Sequence, residues 1–117
     1  MLKEYLKSKI HKATINEANL NYTGSIEIDE EIMEASNIKE FEKVLIADID
    51  NGNRFYTYVI KGKWGEKKIG LNGAAARLGE IGDRIIIMSF ALLDEKEEKD
   101  FKPQIVILDE KNNIISK

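Results

Sequence analysis

The run Asp50-Asn51-Gly52-Asn53 limits what this chain can fold into more than any other stretch. It is a strong hairpin turn, and both flanks suit strands. Before it lies Lys43–Ile49 (KVLIADI); after it lies Arg54–Ile60 (RFYTYVI). Both are rich in β-branched and aromatic residues, so they read as the two arms of a hairpin. A lone hairpin is barely stable in water, so other strands must cover its apolar face. Candidates are Ser8–Ile15, Lys67–Leu71, Asp83–Leu93 and Pro103–Leu108. Asp29 followed by Glu30 and Glu31, with Asn37 further on, marks a short helix by its cap and acidic first turn. A second short helix runs from Asn72 as cap through Leu78, with Gly79 as its stop. Asn16–Tyr22 reads as a loop or short extended run, Asp94–Lys99 as a charged loop, and the last nine residues as a frayed polar tail. Roughly six short strands with two or three short helices predict a mainly β, closed barrel.

Composition then removes function classes. At 117 residues the chain is expected to be a single domain, 1–117, small for an enzyme acting alone. The net charge of −3 comes from interspersed signs, so no basic face invites nucleic acid. There is no apolar run of about 18 residues and no signal-peptide pattern, which predicts no membrane partner and a cytoplasmic protein. Absence of cysteine excludes thiolate catalysis, disulfides and cysteine-bound zinc. One histidine, His11, excludes a multi-histidine site within one chain, so no metal is expected. No Gly-x-Gly-x-x-Gly or P-loop pattern is present. A chain this short also has little room for an external electron sink such as pyridoxal phosphate (PLP), so none is expected.

The chemistry is carried by Gly24-Ser25, within Tyr22-Thr23-Gly24-Ser25-Ile26. As a bare dipeptide it is an ordinary turn. Yet glycine leaves its carbonyl unshielded, and a hydroxyl stands one residue away. That pairing suits an N→O acyl shift: Oγ attacks the Gly24 carbonyl, the amide becomes an ester, and elimination breaks the chain. The dehydroalanine left at residue 25 hydrolyses to a pyruvoyl group.

Other motifs stand around this pair: Lys7-Ser8-Lys9-Ile10-His11, Asn51-Gly52-Asn53-Arg54-Phe55-Tyr56-Thr57-Tyr58, Leu71-Asn72-Gly73-Ala74-Ala75-Ala76-Arg77 and Gly82-Asp83-Arg84-Ile85-Ile86-Ile87. Together they resemble the pyruvoyl-dependent aspartate 1-decarboxylases, in register from about Leu6 to Pro103. The resemblance implies a six-stranded double-psi β-barrel, self-cleavage into residues 1–24 and 25–117, and a covalent pyruvoyl cofactor derived from Ser25. It implies that the new ketone forms a Schiff base with L-aspartate, whose α-carboxylate leaves as CO2 to give β-alanine for pantothenate.

Site residues follow from the same resemblance. Tyr58 is the acid that reprotonates the α-carbon; a strand tyrosine in the core is the plainer reading. Arg54 suits a substrate carboxylate through its bidentate fork, although a charge after Asn-Gly is usually solvated. Lys9 shares that task, flanked by the solvent lysines Lys3, Lys7 and Lys12. Thr57 corresponds to the residue that contacts the scissile carbonyl. Asn72, Gly73, Ala74 and Ala75 form a helix start whose free N–H groups can bind a carboxylate. His11 and Tyr22 support the site.

Strand alternation puts Arg54 and Tyr58 on one face and Thr57 on the other, with Arg54 and Tyr58 roughly 13 Å apart along the strand. A site shared between subunits resolves this and fits a homotetramer. Ser25, Thr57, Tyr58 and the Asn72 turn would come from one chain, and Lys9, His11 and Arg54 from its neighbour. Some members of the family use a partner maturation factor, so one belongs among the partners to test. Three other readings stand beside this one. One is a non-catalytic barrel with Gly24-Ser25 intact. Another is a serine hydrolase using Ser25 and His11, which lacks the Gly-x-Ser-x-Gly elbow. The third is a pyruvoyl decarboxylase of a basic substrate, which Arg54 and Lys9 disfavour.

Overall fold

A computed structural model describes residues 1–117. The chain is mainly β. In order it forms β1 (Lys3–Thr14), β2 (Glu17–Asn19), β3 (Ser25–Asp29), α1 (Glu30–Ser36), β4 (Lys43–Asp48), β5 (Arg54–Gly62) and β6 (Ile69–Asn72). A 3-10 turn (Gly73–Arg77), β7 (Arg84–Leu93), a second 3-10 turn (Glu97–Lys99), β8 (Gln104–Leu108) and β9 (Ile114–Ser116) follow. Nine strands join one sheet in the order β2-β6-β3-β5-β4-β7-β1-β8-β9. Two of them, β2 and β9, are three residues each. No helix is long and apolar enough to cross a membrane.

The hairpin forms as the turn dictates. β4 and β5 pair antiparallel, with Val44 opposite Thr57 and Ala47 opposite Arg54. Gly52 supplies the left-handed residue, at φ 78°. Most of the other pairing is long-range. β1 lies between β7, antiparallel, and β8, parallel. β3 lies between β5, parallel, and β6, antiparallel. Alternate residues point inward, so Ile26 and Ile28, Val44 and Ile46, and Ile85 and Ile87 are fully buried. With Ile10, Ile69, Leu71, Val106 and Leu108 they form one continuous core. Ile32 and Met33 of α1 close it.

α1 begins where its cap predicts. Asp29 Oδ1 accepts from Glu31 N at 2.8 Å, and Asn37 ends the helix in the left-handed region. Nine strands form where about six were expected, because short pieces such as β2 and β9 pair at the sheet's edges through long-range contacts that no local signal marks. Two further expectations change. The C-terminal tail is not free: β9 pairs with β8, and buried Asn112 donates Nδ2 to Thr14 O at 2.9 Å. Asn72 stands at the head of the 3-10 turn but makes no side-chain cap there. Its side chain is used elsewhere, as described next.

Candidate active site

Ser25 opens β3 and is fully buried. Its φ is 154°, a conformation that side chains rarely adopt and that costs of order 1–3 kcal/mol. The residue is held there from both sides. On one side it pairs with Asn72 of β6, and Asn72 Nδ2 donates to Ser25 Oγ at 3.2 Å. Oγ therefore accepts, which leaves its own proton free to be given up. On the other side β3 runs parallel to β5, with Ile26 level with Val59. Tyr58 immediately precedes Val59 on β5, as Ser25 precedes Ile26 on β3, one position before the ladder's first pair.

Gly24 and Gly73 meet backbone to backbone. Gly73 has φ 63°, and a Cβ built on it would lie 2.8 Å from both Cα and N of Gly24 and 3.0 Å from Tyr22 O. No side chain fits at 73. Gly24, Ser25, Asn72 and Gly73 are thus brought into one cluster although 47 residues separate Ser25 from Asn72. Ala75 is buried beneath the turn, while Ala74 is exposed. Tyr22 is exposed beside the cluster.

β5 alternates as expected. Arg54, Tyr56 and Tyr58 are exposed, and Val59 is buried. Tyr56, Thr57 and Tyr58 line a shallow apolar depression of about 330 Å³ together with Lys43. Lys43 pairs directly with Tyr58 across the hairpin, and its Nζ lies 4.5 Å from the Tyr56 ring centre. The Phe41 ring stands 6.5 Å from that of Tyr58. Lys43 and Phe41 were not among the expected site residues. Counting back from an Asn51-Gly52 turn would place Lys43 opposite Ile60, two residues off the observed partner Tyr58 but on the same face of β5; no local signal marks Phe41.

Lys9 and His11 are not brought to Ser25 within one chain. Both lie on β1, four strands from β3 in sheet order, roughly 19 Å measured along the sheet. Arg54 sits at the far end of β5. His11 is half-buried and its Nδ1 has no partner. Burial above all, then the charges of Lys9, Lys12 and Arg84, lowers its pKa from the ordinary value.

A sequence model of the aspartate decarboxylase family matches residues 1–115. The chain belongs to the aspartate decarboxylase family. It is 59% identical over 115 residues to the aspartate 1-decarboxylase of Caldicellulosiruptor saccharolyticus, covering 98% of this chain and 90% of that one. It is 60% identical over 111 residues to that of Acetivibrio thermocellus, covering 95% and 88%. The enzyme of Aliarcobacter butzleri is 56% identical over 111 residues, covering 95% and 87%. The Gly24-Ser25-Asn72-Gly73 cluster and the Tyr58 depression are therefore features of a family member.

Proposed function

We propose that this chain is an aspartate 1-decarboxylase that cuts itself between Gly24 and Ser25 and releases β-alanine and CO2 from L-aspartate, the step that feeds pantothenate synthesis. One observation carries the reading. Ser25 is buried at φ 154° with its Oγ accepting from Asn72, directly after a glycine pressed against Gly73.

Maturation uses the chain's own atoms. Ser25 Oγ attacks the Gly24 carbonyl carbon, the peptide nitrogen leaves that carbon and takes a proton, and an ester links the two residues. Loss of the Ser25 Cα proton then expels the Gly24 carboxylate. The dehydroalanine at residue 25 adds water and loses ammonia. The Asn72 amide orients Oγ, and departure from φ 154° releases backbone strain. Thr57 is the donor assigned to the carbonyl under attack.

The pyruvoyl group formed at residue 25 supplies an electron sink for loss of the α-carboxylate. A site that starts at a buried strand end, closed by Asn72 and Gly73 and opening beside Tyr58, fits such a small ketone. Tyr58 gives its proton to the substrate α-carbon. Arg54, with Lys9, holds the substrate's remaining carboxylate through charge-assisted hydrogen bonds. The N–H groups of the Gly73–Ala75 turn orient it. His11 and Tyr22 wall the site.

Arg54, Lys9 and His11 lie away from Ser25 in one chain, so they are supplied by a neighbouring copy in a homotetramer. Six of the nine strands form the double-psi barrel, with β2 and β9 among the additions. The test is β-alanine release from L-aspartate by purified protein. Mixed Tyr58→Phe and Arg54→Ala subunits, each strongly impaired alone, should regain part of the rate. Failure to release β-alanine overturns the activity; activity without complementation overturns only the shared site.

A further inference from the structure

Three carboxylates meet where the β4–β5 turn packs on the turn before β7. Asp48 ends β4, Asp50 lies in the turn, and Asp83 precedes β7. One oxygen from each lies within 4.8 Å of the other two. Backbone N–H groups fix one oxygen of each. Asp50 N and Asn51 N donate to Asp48 Oδ1 at 2.9 and 3.2 Å, Arg84 N to Asp50 Oδ2 at 2.7 Å, and Glu80 N to Asp83 Oδ2 at 3.0 Å.

The second oxygen of Asp48 differs from the rest. Asp48 is 3% exposed, and its Oδ2 is buried with no hydrogen-bond partner. A buried carboxylate oxygen without donor or cation is costly, and natural folds rarely leave one. No side chain neutralises it: none of the five ion pairs involves Asp48, Asp50 or Asp83. The neighbouring cation, Arg84, gives its guanidinium to the carbonyls of Lys12 and Leu108.

We propose that Asp48, Asp50 and Asp83 together bind one hard divalent cation of the calcium type. Oxygen ligands lie about 2.3–2.6 Å from calcium, so two of them on one ion stand no more than about 5 Å apart. The observed spacing meets that limit. An all-carboxylate set with neither nitrogen nor sulfur selects calcium or its hard relatives over zinc or copper. Three protein ligands, with water filling the rest, give weak binding of about 10⁻⁴–10⁻³ M. The ion would pin the turn that precedes Arg54 to the start of β7. Asn51 and Asn53 already tie that turn to Leu78, each donating Nδ2 to its carbonyl at 2.9 Å.

The test is thermal melting of the full chain after chelation, titrated with CaCl2 against NaCl of equal ionic strength. The melting temperature should rise by about 5 °C at ten times the dissociation constant and keep rising with the logarithm of the calcium concentration. Terbium, excited through Tyr or Trp, should luminesce at the site and be displaced by calcium. Asp50→Asn changes an exposed side chain and should weaken calcium binding roughly tenfold while the protein stays folded. Asp48→Asn should abolish it. A calcium response no larger than that to NaCl overturns the site, as does an equal response in Asp50→Asn and Asp83→Asn. Melting unmoved by calcium but raised by acid below pH 6 would assign the buried charge to a proton shared by Asp48 and Asp83, and would equally overturn it.

Discussion

Asn72 and Ser25 are bound twice, as a direct pair across β6 and β3 and through a side-chain hydrogen bond of 3.2 Å. The backbone pair sets the position of Ser25, and the amide sets the direction of its hydroxyl. Asn72→Ala keeps the first and removes the second. A buried hydroxyl then loses its partner, at a cost of about 1–3 kcal/mol. We expect chain cleavage to slow roughly 5- to 150-fold by the usual conversion of free energy to rate. Denaturing gels of freshly purified protein over time measure this; cleavage at the unaltered rate would remove Asn72 from maturation.

Gly73→Ala tests the glycine–glycine contact. The added Cβ would overlap the Gly24 backbone at 2.8 Å on a residue with φ 63°. Strain of about 1–3 kcal/mol is expected from each cause. The chain should melt at lower temperature and remain largely uncut. Ala74→Ser, on an exposed neighbour, should do neither.

Arg54→Ala separates substrate binding from maturation. A guanidinium–carboxylate contact in a partly closed site contributes on the order of 2–4 kcal/mol. Loss of it should lower kcat/KM for aspartate by roughly 30- to 1000-fold. Self-cleavage should persist, because Arg54 is exposed at the far end of β5. Wild-type turnover would remove Arg54 as the anchor, and an uncut chain would show that its two roles cannot be separated.

His11 gives a pH dependence with a definite sign. Its folded pKa lies below the ordinary value of 6.5, so the unfolded chain takes up the proton first. The stability this contributes is present above about pH 6.5 and is lost as pH falls through the folded pKa. His11→Gln should flatten that part of a stability–pH curve measured by urea unfolding. An unchanged slope would show that other groups set it.

These elements differ in how far the sequence revealed them. The Lys43–Ile60 hairpin was legible because its turn, strand propensity and pairing are all local. So was α1, whose Asp29 cap lies next to its first turn. Asn72 looked like a cap by the same local logic, but its side chain turns to Ser25 because β6 pairs with β3. The tail looked frayed for a similar reason. Its anchor, the Asn112–Thr14 contact, spans 98 residues. The Asp48–Asp83 contact likewise joins residues that no spacing rule links. The motifs singled out Ser25 and its neighbours as candidates, and the unusual φ at Ser25 became visible only in the folded chain.

On this mechanism Ser25 ends its peptide bond with Gly24 and becomes the cofactor. Intact-mass measurement of the purified, active protein reads out that change. Two species are expected under denaturing conditions, residues 1–24 and residues 25–117, the larger beginning with a pyruvoyl group rather than serine. Under native conditions they should travel together, because β1 of the smaller piece lies between β7 and β8 of the larger. Ser25→Ala should give one uncut, inactive chain. A fully active enzyme with the mass of the intact chain would show that Ser25 does not become the cofactor.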